Sequence, residues 1–498
     1  MAQFVKLAPE SLKELRKIDK RLVSYNVEMT EVTGGTFWTA YTDAQVDGTE
    51  EFPVIKDWLQ QMGKLQQWYD PIDTTNPRLI KLAKDLGTAW VRVSGTWANK
   101  TYYDFDNKYG GKVPEGFQNV LSKQQWLNLL DFVRAIDGKL LISIANCPGI
   151  HSADEPIPLD QAELLFRTSK EYGVPIAAAE FTNEPNMMEI SGLPKGYTAA
   201  DHARDHDRFG AWLRENYPEC LFVGPCTCGD VAMFGEMSTG GGIGSLMKMV
   251  TTEDLLGDYN TKLDVFSYHY YNGISERGAG MGGHWPFEAC LTEKYLEVAG
   301  NCARQYVARR DRYVPGGQMW VTESGDAGCG GNTWAPTYAD VPRTLNELGD
   351  FCTVTDGVIF HNTLASSAYG FLEHGSFLPR PNYFAVLLWN TLMGDTCYAT
   401  GEAVREGAHV YAHSRKDGKE GCVYLVINNS SEPTTVELPK EATVYALTGN
   451  GKLRSRTMLL NGRELTLGEN DQLPDLSGEA VAAGKIEVAP GGCTFIVL

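Results

Sequence analysis

Eight short apolar or β-branched segments recur along the first 362 residues of this 498-residue chain, each separated from the next by an amphipathic stretch of helix length. They are RLVSYNVEM (21–29), TAWVRVS (88–94), KLLISIA (139–145), VPIAAAEF (174–181), CLFVGP (220–225), LDVFSYHYY (263–271), QMWVTES (318–324) and DGVIFHN (356–362). Alternation of strands with helices favours a parallel sheet, and a count of eight strands favours a closed (β/α)₈ barrel. We therefore predict an α/β fold with a (β/α)₈ TIM barrel over residues 21–396.

The remaining segments indicate a second packed unit, because 498 residues exceed the roughly 250–300 residues that one hydrophobic core serves. After residue 397 the chain changes to alternating strands, with Asn-Gly turns at 450–451 and 461–462. We predict a C-terminal β-sandwich over residues 397–498. The N-terminal segment, residues 1–20, contains FVKL, which offers an edge strand to that sandwich.

Charge and cysteine content restrict the partners. The formal charge of −19 opposes binding to nucleic acid and other polyanions. The sequence contains no signal-peptide-like or membrane-spanning apolar run, so we expect no membrane association and a chain that is either cytoplasmic or secreted with its leader removed. Eleven cysteines, mostly in apolar surroundings, predict reduced buried thiols. We expect no structural metal and no cofactor. The oligomeric state stays open.

Polar residues at the ends of the predicted strands are the candidates for chemistry, because active sites of such barrels lie at the C-terminal ends of the strands. The fourth strand ends in FTNEPN, which contains Glu184, and the seventh ends in VTESG, which contains Glu323. Two carboxylates across a pocket suit glycoside hydrolysis, with one as general acid and the other as nucleophile or as general base for water. Glu180, within the fourth strand, is predicted to be structural.

Further residues at the C-terminal ends of the predicted strands are candidates for substrate binding. Asn183 supplies a donor for a sugar hydroxyl, and Arg92 would keep a neighbouring carboxylate ionised. Polar or aromatic side chains near other strand ends complete the set: Glu28, Asn146, His269, Tyr270 and Tyr271. His202 and His206, one helical turn apart in DHARDHDRFG, are interpreted as members of a solvated helical turn rather than as metal ligands.

The chain resembles glycoside hydrolase family 79, the family of heparanases and β-glucuronidases, over nearly its whole length. The resemblance rests on NEPN in the fourth strand, HYYNG in the sixth, TESGDAGCGG in the seventh, FHNTLASSAYGFL in the eighth and LLNGRELTLGENDQLPDLSG near the C-terminus. It implies a retaining enzyme with Glu184 as acid/base and Glu323 as nucleophile. It also implies that backbone N–H groups of Gly330 and Gly331, together with Tyr369, bind a uronate carboxylate.

The sequence departs from heparanases that cut sulfated chains internally, because it is acidic and has no basic cluster after its catalytic strands. The segment 99–119 is long and aromatic and would wall off one end of the site. We therefore expect a carbohydrate with a terminal glucuronic acid as the partner and an exo-β-D-glucuronidase activity. Two alternatives stay open: an endo-acting enzyme on glycosaminoglycans, and a catalytically silent glycan-binding protein.

Overall fold

The computed structural model describes residues 3–55, 61–229 and 249–498, and its centre is a closed barrel of eight parallel strands. Barrel strands 1 to 8 are Val23–Glu28, Trp90–Ser94, Lys139–Ser143, Ile176–Glu180, Leu221–Cys228, Val265–Tyr271, Met319–Gly325 and Ile359–His361. All eight lie within or overlap the segments that the sequence predicts. The (β/α)₈ barrel is thus confirmed.

Helices surround the barrel. The α-helices in the described ranges are Met29–Thr33, Asp43–Asp47, Pro77–Asp85, Lys123–Ala135, Asp160–Glu171, Ala199–Asn216, Thr252–Leu256, Glu293–Tyr313, Asp340–Val354 and Pro381–Leu392. Local sequence sets several of their starts: Ser122 and Gln125 form a reciprocal capping box before Lys123–Ala135, and Thr198 and Asp201 form one at the start of Ala199–Asn216. None of the helices in the described ranges is long and apolar enough to cross a membrane.

The barrel interior has an apolar floor and a polar upper layer. Trp90 and Trp320 lie at its floor with their ring centroids 4.8 Å apart, beside Phe360. Because strand side chains alternate, the next inward residue of barrel strand 2 is Arg92, and that of barrel strand 4 is Glu180. The apolar floor thus supports a charged layer directly beneath the open end of the barrel.

Two further sheets pack face to face, as expected of a β-sandwich. One contains Lys13–Lys17, Met393–Ala399, His409–Arg415, Cys422–Ile427, Cys493–Val497, Ala442–Thr448, Leu459–Leu460, Arg463–Glu464 and Glu479–Val481. The other contains Gln3–Lys6, Thr434–Leu438 and Gly484–Val488. The N-terminal segment therefore gives one strand to each sheet. The strand Met393–Ala399 crosses the predicted boundary at 396, and the division into domains stays a prediction.

The larger sheet turns its second face toward the barrel, where it covers the helix Asp340–Val354. This helix is buried on nearly every side, although a surface helix would bury only one stripe. A Cβ at Gly349 would lie 2.3 Å from the Tyr411 ring, so the glycine permits close contact between helix and sheet. Barrel and sandwich consequently share one continuous apolar core.

The interpretation of His202 and His206 as solvated is wrong. Both imidazoles are buried, and His206 stacks on Tyr259 at 3.8 Å between ring centroids and on Phe222 at 4.4 Å. The helix Ala199–Asn216 presents them inward, against barrel strand 5. None of the four ring nitrogens has a hydrogen-bond partner among the described residues.

The cysteines agree with the expectation of reduced thiols. None of the eleven forms a disulfide, and all except Cys329 are buried.

Candidate active site

A cavity of about 320 Å³ opens at the C-terminal ends of the barrel strands. Glu184 and Glu323 both line it, one following barrel strand 4 and the other in barrel strand 7. Its volume lies at the lower end of the range for small-molecule sites, about 300–1,000 Å³. Aromatic rings and polar groups make up most of the rest of the wall: Phe37, Trp38, Trp97, Tyr271, Tyr369, Glu28, Gln66, Lys100, Gln118 and Asn362.

Glu323 reaches the cavity because the pairing of barrel strands 6 and 7 shifts register. Trp320 faces the barrel interior and Val321 faces the helices, so strict alternation would send Glu323 outward. The shift between Tyr268 and His269 instead places His269 opposite Glu323. Irregularities of this kind re-aim side chains at barrel rims. The carboxylate therefore points into the open end of the barrel.

The backbone of Glu184 has an unusual conformation. Its φ of 46° and ψ of 54° lie in the left-handed region, which non-glycine residues seldom adopt. Pro185 follows at once and starts a short 3₁₀ helix, and the Ser191 hydroxyl donates to the Glu184 carbonyl at 2.6 Å. The strained turn directs the side chain into the cavity wall.

Arg92 connects the carboxylates beneath the cavity. Its side chain is fully buried, and its Nε donates to Oε2 of Glu180 at 2.9 Å. Nη1 donates to Oε1 of Glu323 at 3.0 Å, and Nη2 donates to Oδ1 of Asn183 at 2.7 Å. Burial alone would lower the pKa of the guanidinium, but the charges of Glu180 and Glu323 raise it above its ordinary value. Arg92 is therefore a permanent cation.

The surroundings of Glu323 favour its ionised form. Burial raises the pKa of this carboxyl, but His269, Arg92 and the hydrogen bond from the Tyr271 hydroxyl outweigh burial and lower it below its ordinary value. The Tyr271 hydroxyl donates to Oε2 at 2.7 Å, while Arg92 donates to Oε1. Both oxygens of Glu323 thus accept a hydrogen bond, which is the state expected of a carboxylate.

His269 lies between the two glutamates. Its Nδ1 is 2.9 Å from Oε1 of Glu184 and 3.6 Å from Oε2 of Glu323. Its Nε2 is 3.3 Å from Nη2 of Arg92. Because a guanidinium only donates, Nε2 accepts that hydrogen bond and Nδ1 carries the hydrogen that it donates to Glu184. Oε2 of Glu184 is then left for contact with a substrate.

The same histidine limits the separation of the glutamates. Since Oε1 of Glu184 and Oε2 of Glu323 lie 2.9 and 3.6 Å from one nitrogen, they are at most about 6.5 Å apart. Inverting glycosidases need roughly 6.5–9.5 Å between their carboxyl groups, and retaining ones about 5–5.5 Å. The limit of about 6.5 Å includes the retaining separation and reaches the lower end of the inverting range.

Glu28, at the end of barrel strand 1, also lines the cavity, and its surroundings favour the protonated form. Burial, followed by the charges of Glu323 and Glu31, raises the pKa of Glu28 well above its ordinary value. Its Oε2 has no partner among the described residues, and a Cβ on Gly95 would lie only 1.6 Å from that oxygen. A glycine at position 95 therefore makes room for the carboxyl, which is suited to donate a hydrogen bond to a hydroxyl group.

Tyr271, Asn362 and Tyr369 form one hydrogen-bonded group in the cavity wall. The amide Nδ2 of Asn362 donates to the Tyr271 hydroxyl at 2.9 Å and to the Tyr369 hydroxyl at 3.1 Å. The two rings stack with centroids 6.4 Å apart. Because each phenol oxygen accepts from Asn362, the Tyr271 hydrogen is directed to Glu323, and the Tyr369 hydrogen is available to a ligand.

The loop after barrel strand 7 has three successive residues with positive φ: Cys329, Gly330 and Gly331. The N–H of Gly331 donates to the Ala327 carbonyl at 3.1 Å, so it is not available to a ligand. The prediction that both glycines present their N–H groups is therefore wrong for Gly331. Among the described residues, no acceptor pairs with the N–H groups of Cys329 and Gly330, so an anion-binding turn would consist of those two groups.

Two other candidates lie away from the cavity. Tyr270 points toward the helices and donates to Asn272, because strand alternation that brings His269 and Tyr271 inward sends Tyr270 outward. Asn146 accepts a hydrogen bond from His151 at 2.9 Å and is fully buried. The structure thus places both beside the site rather than in it.

Asn183 has an intermediate position, close to the cavity but not in its wall. Its Nδ2 is buried without a partner among the described residues, while Oδ1 accepts from Arg92. The amide orientation therefore leaves a free donor next to Glu184.

Sequence reasoning missed Lys100 and Cys228, which also line the cavity. Burial lowers the pKa of Lys100, although the nearby Cys147 raises it. The segment 99–119 that contains Lys100 was expected to wall one end of the site, and both Lys100 and Gln118 lie in the cavity wall. The many aromatic residues of this segment are the sequence feature that indicated its place beside the site.

Two groups of side chains have ligand atoms close enough to hold a metal ion: Glu180, Cys226 and His269, and Glu184, Cys228 and His269. Both rely on His269, whose Nε2 accepts from Arg92. A cation there would meet the charge of the guanidinium and would have to displace either the hydrogen bond at Nε2 or the hydrogen on Nδ1. The expectation of no metal stays a prediction.

Known proteins resemble this chain in sequence. The chain is 25% identical over 454 residues to the hyaluronoglucuronidase of Hirudo nipponia, covering 82% of this chain and 86% of that protein. It is 28% identical over 484 residues to heparanase-like protein 1 of Arabidopsis thaliana, covering 86% and 85%. The baicalin-β-D-glucuronidase of Scutellaria baicalensis is 28% identical over 257 residues, 48% of this chain and 46% of that protein. These relatives support the resemblance of the chain to glycoside hydrolase family 79.

No protein-family model matches this chain. Among solved structures, a 4-O-α-L-rhamnosyl-β-D-glucuronidase from Fusarium oxysporum superposes over 100% of both chains with a TM-score of 0.63 at 12% identity. An α-L-arabinofuranosidase from Thermotoga petrophila also covers 100% of both chains, with a TM-score of 0.61 at 15% identity. At such identities the likeness concerns the fold alone. The relatives and the barrel together make this chain a glycoside hydrolase.

Proposed function

We propose that this enzyme is a retaining exo-β-D-glucuronidase that releases terminal glucuronic acid by double displacement. The observation that carries the proposal is the pair of cavity-lining carboxylates, Glu184 and Glu323, held within about 6.5 Å by one histidine. Names of relatives support the sugar, because both the Hirudo and the Scutellaria proteins are called glucuronidases.

The first step assigns different roles to the two glutamates. Glu323, ionised and held by Arg92 and Tyr271, attacks the anomeric carbon, while Glu184 gives a proton to the leaving oxygen. A covalent glycosyl-enzyme ester forms at Glu323, and the bond to the leaving group breaks. Glu184 then takes a proton from water, which attacks the ester and releases the sugar with retained configuration.

Recognition of the uronate carboxylate is assigned to the anion-binding turn and its neighbours. The N–H groups of Cys329 and Gly330 have no acceptor among the described residues, and the Tyr369 hydroxyl has its hydrogen free for a ligand. Lys100 adds a positive charge to the wall. These groups offset locally the repulsion that a chain of charge −19 exerts on an anionic sugar.

Exo action is favoured by the small cavity and by the segment 99–119, which contributes Lys100 and Gln118 to its wall. Endo action remains the second candidate, because the Arabidopsis relative is named for heparanase. A silent glycan-binding protein is the third, since a mouse protein named inactive heparanase-2 is 24% identical over 224 residues. The presence of both glutamates opposes this third candidate.

The test uses an aryl β-D-glucuronide beside the matching β-D-glucoside and β-D-galacturonide. We expect turnover of the glucuronide, its loss by at least about 10³-fold in Glu323→Gln and in Glu184→Gln, and unchanged turnover in Glu189→Gln. Glu189 is an exposed loop residue five positions after Glu184 and is the matched control. NMR of the first-formed product should show the β anomer, whereas the α anomer would refute retention.

Endo and exo action are separated by product size. Release of free glucuronic acid from the non-reducing end of an oligosaccharide supports the proposal. Internal cleavage into shorter oligosaccharides without free glucuronate would replace it with the endo alternative.

A further inference from the structure

A short antiparallel ribbon forms one side of the cavity. The rim ribbon consists of Gly35–Trp38 and Gln66–Tyr69, with Thr36 opposite Trp68 and Trp38 opposite Gln66. Directly opposed residues of an antiparallel pair project from the same face, and alternate residues of one strand do so too. Thr36, Trp38, Gln66 and Trp68 therefore share one face of the rim ribbon.

Three of these four side chains line the cavity: Thr36, Trp38 and Gln66. The fourth, Trp68, continues the same face beyond the cavity and is 67% exposed. Phe37 projects from the other face, where it meets Trp97 edge to face at 4.9 Å, and it too reaches the cavity. The ribbon thus leads from the cavity directly to an exposed indole.

The indole of Trp68 has no aromatic or cationic neighbour among the described residues. Single exposed apolar residues are common and need no explanation by themselves. The position of Trp68 is what distinguishes it, because the face that it shares is the cavity-lining face. A ligand that extended out of the cavity along this face would cover the ring.

We propose that Trp68 is a stacking platform for a second pyranose ring, one that is joined to the glucuronate in the cavity within the same glycan. The inference rests on the proposed function and extends it from a single sugar to an oligosaccharide. A flat indole matches the C–H face of a pyranose and gains from its burial. The contact carries no charge, so it does not depend on a basic cluster, which the sequence after the catalytic strands lacks.

Two glycans present that ring. In the proposed exo action it belongs to the leaving group, and in the endo alternative it belongs to a sugar attached to the hydroxyls of the glucuronate. The chemistry of stacking is the same in both cases. Three substrates separate these sources: an aryl β-glucuronide, a tetrasaccharide with glucuronate at its non-reducing end, and an aryl glucuronide that carries a second sugar on O4.

The experiment compares kcat/KM of Trp68→Ala with that of the unmodified enzyme on each substrate. We expect a loss of about tenfold for the tetrasaccharide or the disubstituted glycoside, and a change below about twofold for the simple aryl glucuronide. Trp68→Phe should restore most of the loss. Phe4→Ala is the matched control, because Phe4 is an exposed aromatic residue on a strand of the sandwich.

Equal effects on all three substrates, or no effect on any, would overturn the inference. If the unmodified enzyme cleaves none of them, the proposed function fails, and the inference is then judged by binding. Calorimetry with the tetrasaccharide should give about tenfold weaker binding to Glu323→Gln/Trp68→Ala than to Glu323→Gln. Equal affinities of these two variants would refute the platform independently of catalysis.

Discussion

The hydroxyl of Tyr271 donates to Oε2 of Glu323 across 2.7 Å, and its oxygen accepts from Nδ2 of Asn362 at 2.9 Å. The phenol hydrogen therefore has one defined acceptor, the proposed nucleophile. This contact fixes the carboxylate and contributes to the lowering of its pKa.

Tyr271→Phe should reduce kcat/KM for an aryl glucuronide by about 10²-fold, because a hydrogen bond to the reacting carboxylate is lost. Since that bond lowers the pKa of Glu323, the acidic limb of the kcat/KM–pH profile should move to higher pH. Tyr270→Phe is the control, because Tyr270 points toward the helices, and its profile should coincide with that of the unmodified enzyme. An acidic limb that stays in place in Tyr271→Phe would contradict the assignment.

Arg92→Met should lower the free energy of unfolding by about 3–5 kcal/mol, since it leaves Glu180 and Glu323 without their buried cation. Urea denaturation at neutral pH measures the loss. Arg134→Met is the comparison, because Arg134 pairs with Asp131 at the half-exposed surface and should cost below about 1 kcal/mol. Similar losses in the two variants would show that Arg92 is not the centre of the charged layer.

Glu31→Gln should make stability less sensitive to pH between about 4.5 and 8. Burial raises the pKa of Glu31 to about 8, despite hydrogen bonds from the Glu28 backbone and Ser366 that lower it. Between the unfolded and folded pKa values the folded chain binds more protons, so its stability falls as pH rises, by up to about 1.4 kcal/mol per pH unit from this group. Glutamine keeps the acceptor for the Glu28 N–H, so the variant should fold. Identical slopes of melting temperature against pH would contradict this result.

Much of the fold follows from local patterns. All eight barrel strands were predictable because parallel strands buried on both faces are continuous apolar runs, and helix starts such as Ser122 carry their own capping signals. The exclusion of Tyr270 from the cavity was also available from strand alternation. Position 184 was predictable for another reason, because the C-terminal ends of barrel strands always meet at one opening.

Other features depend on contacts that no short segment contains. The inward turn of Glu323 requires a register shift against barrel strand 6, and alternation within its own strand gives the opposite direction. The rim ribbon joins Thr36 to Trp68 across 32 positions, and its cavity-lining face emerges only from that pairing. His202 and His206 look polar in sequence, but the rings of Phe222 and Tyr259 that enclose them come from later parts of the chain.

His202→Phe should make the protein more resistant to acid. Burial lowers the pKa of His202 to about 3, against an ordinary value of 6.5, although Asp205 raises it. Between these values the unfolded chain binds more protons, so stability is lost as pH falls, by about 2 kcal/mol at pH 5 from this group. Phenylalanine fits among Phe181, His206 and Tyr259 and cannot be protonated. Urea denaturation at pH 7 and pH 5 should give a smaller difference for the variant, and an unchanged difference would contradict the prediction.

Gly330→Ala tests the anion-binding turn. Gly330 has a φ of +86°, and a Cβ there would lie 2.7 Å from the Cβ and Cγ atoms of Trp38, so the loop must shift and move the N–H groups of Cys329 and Gly330. We expect kcat/KM for the aryl glucuronide to fall by about 10²-fold, with a smaller loss for any residual activity on the uncharged glucoside. Gly418→Ala is the matched control, because Gly418 has a similar φ of +71° and open space around it. It reproduces the backbone strain without the clash and should leave the ratio of glucuronide to glucoside turnover unchanged. A ratio that also stays constant in Gly330→Ala would mean that another group, with Lys100 as the first candidate, binds the carboxylate.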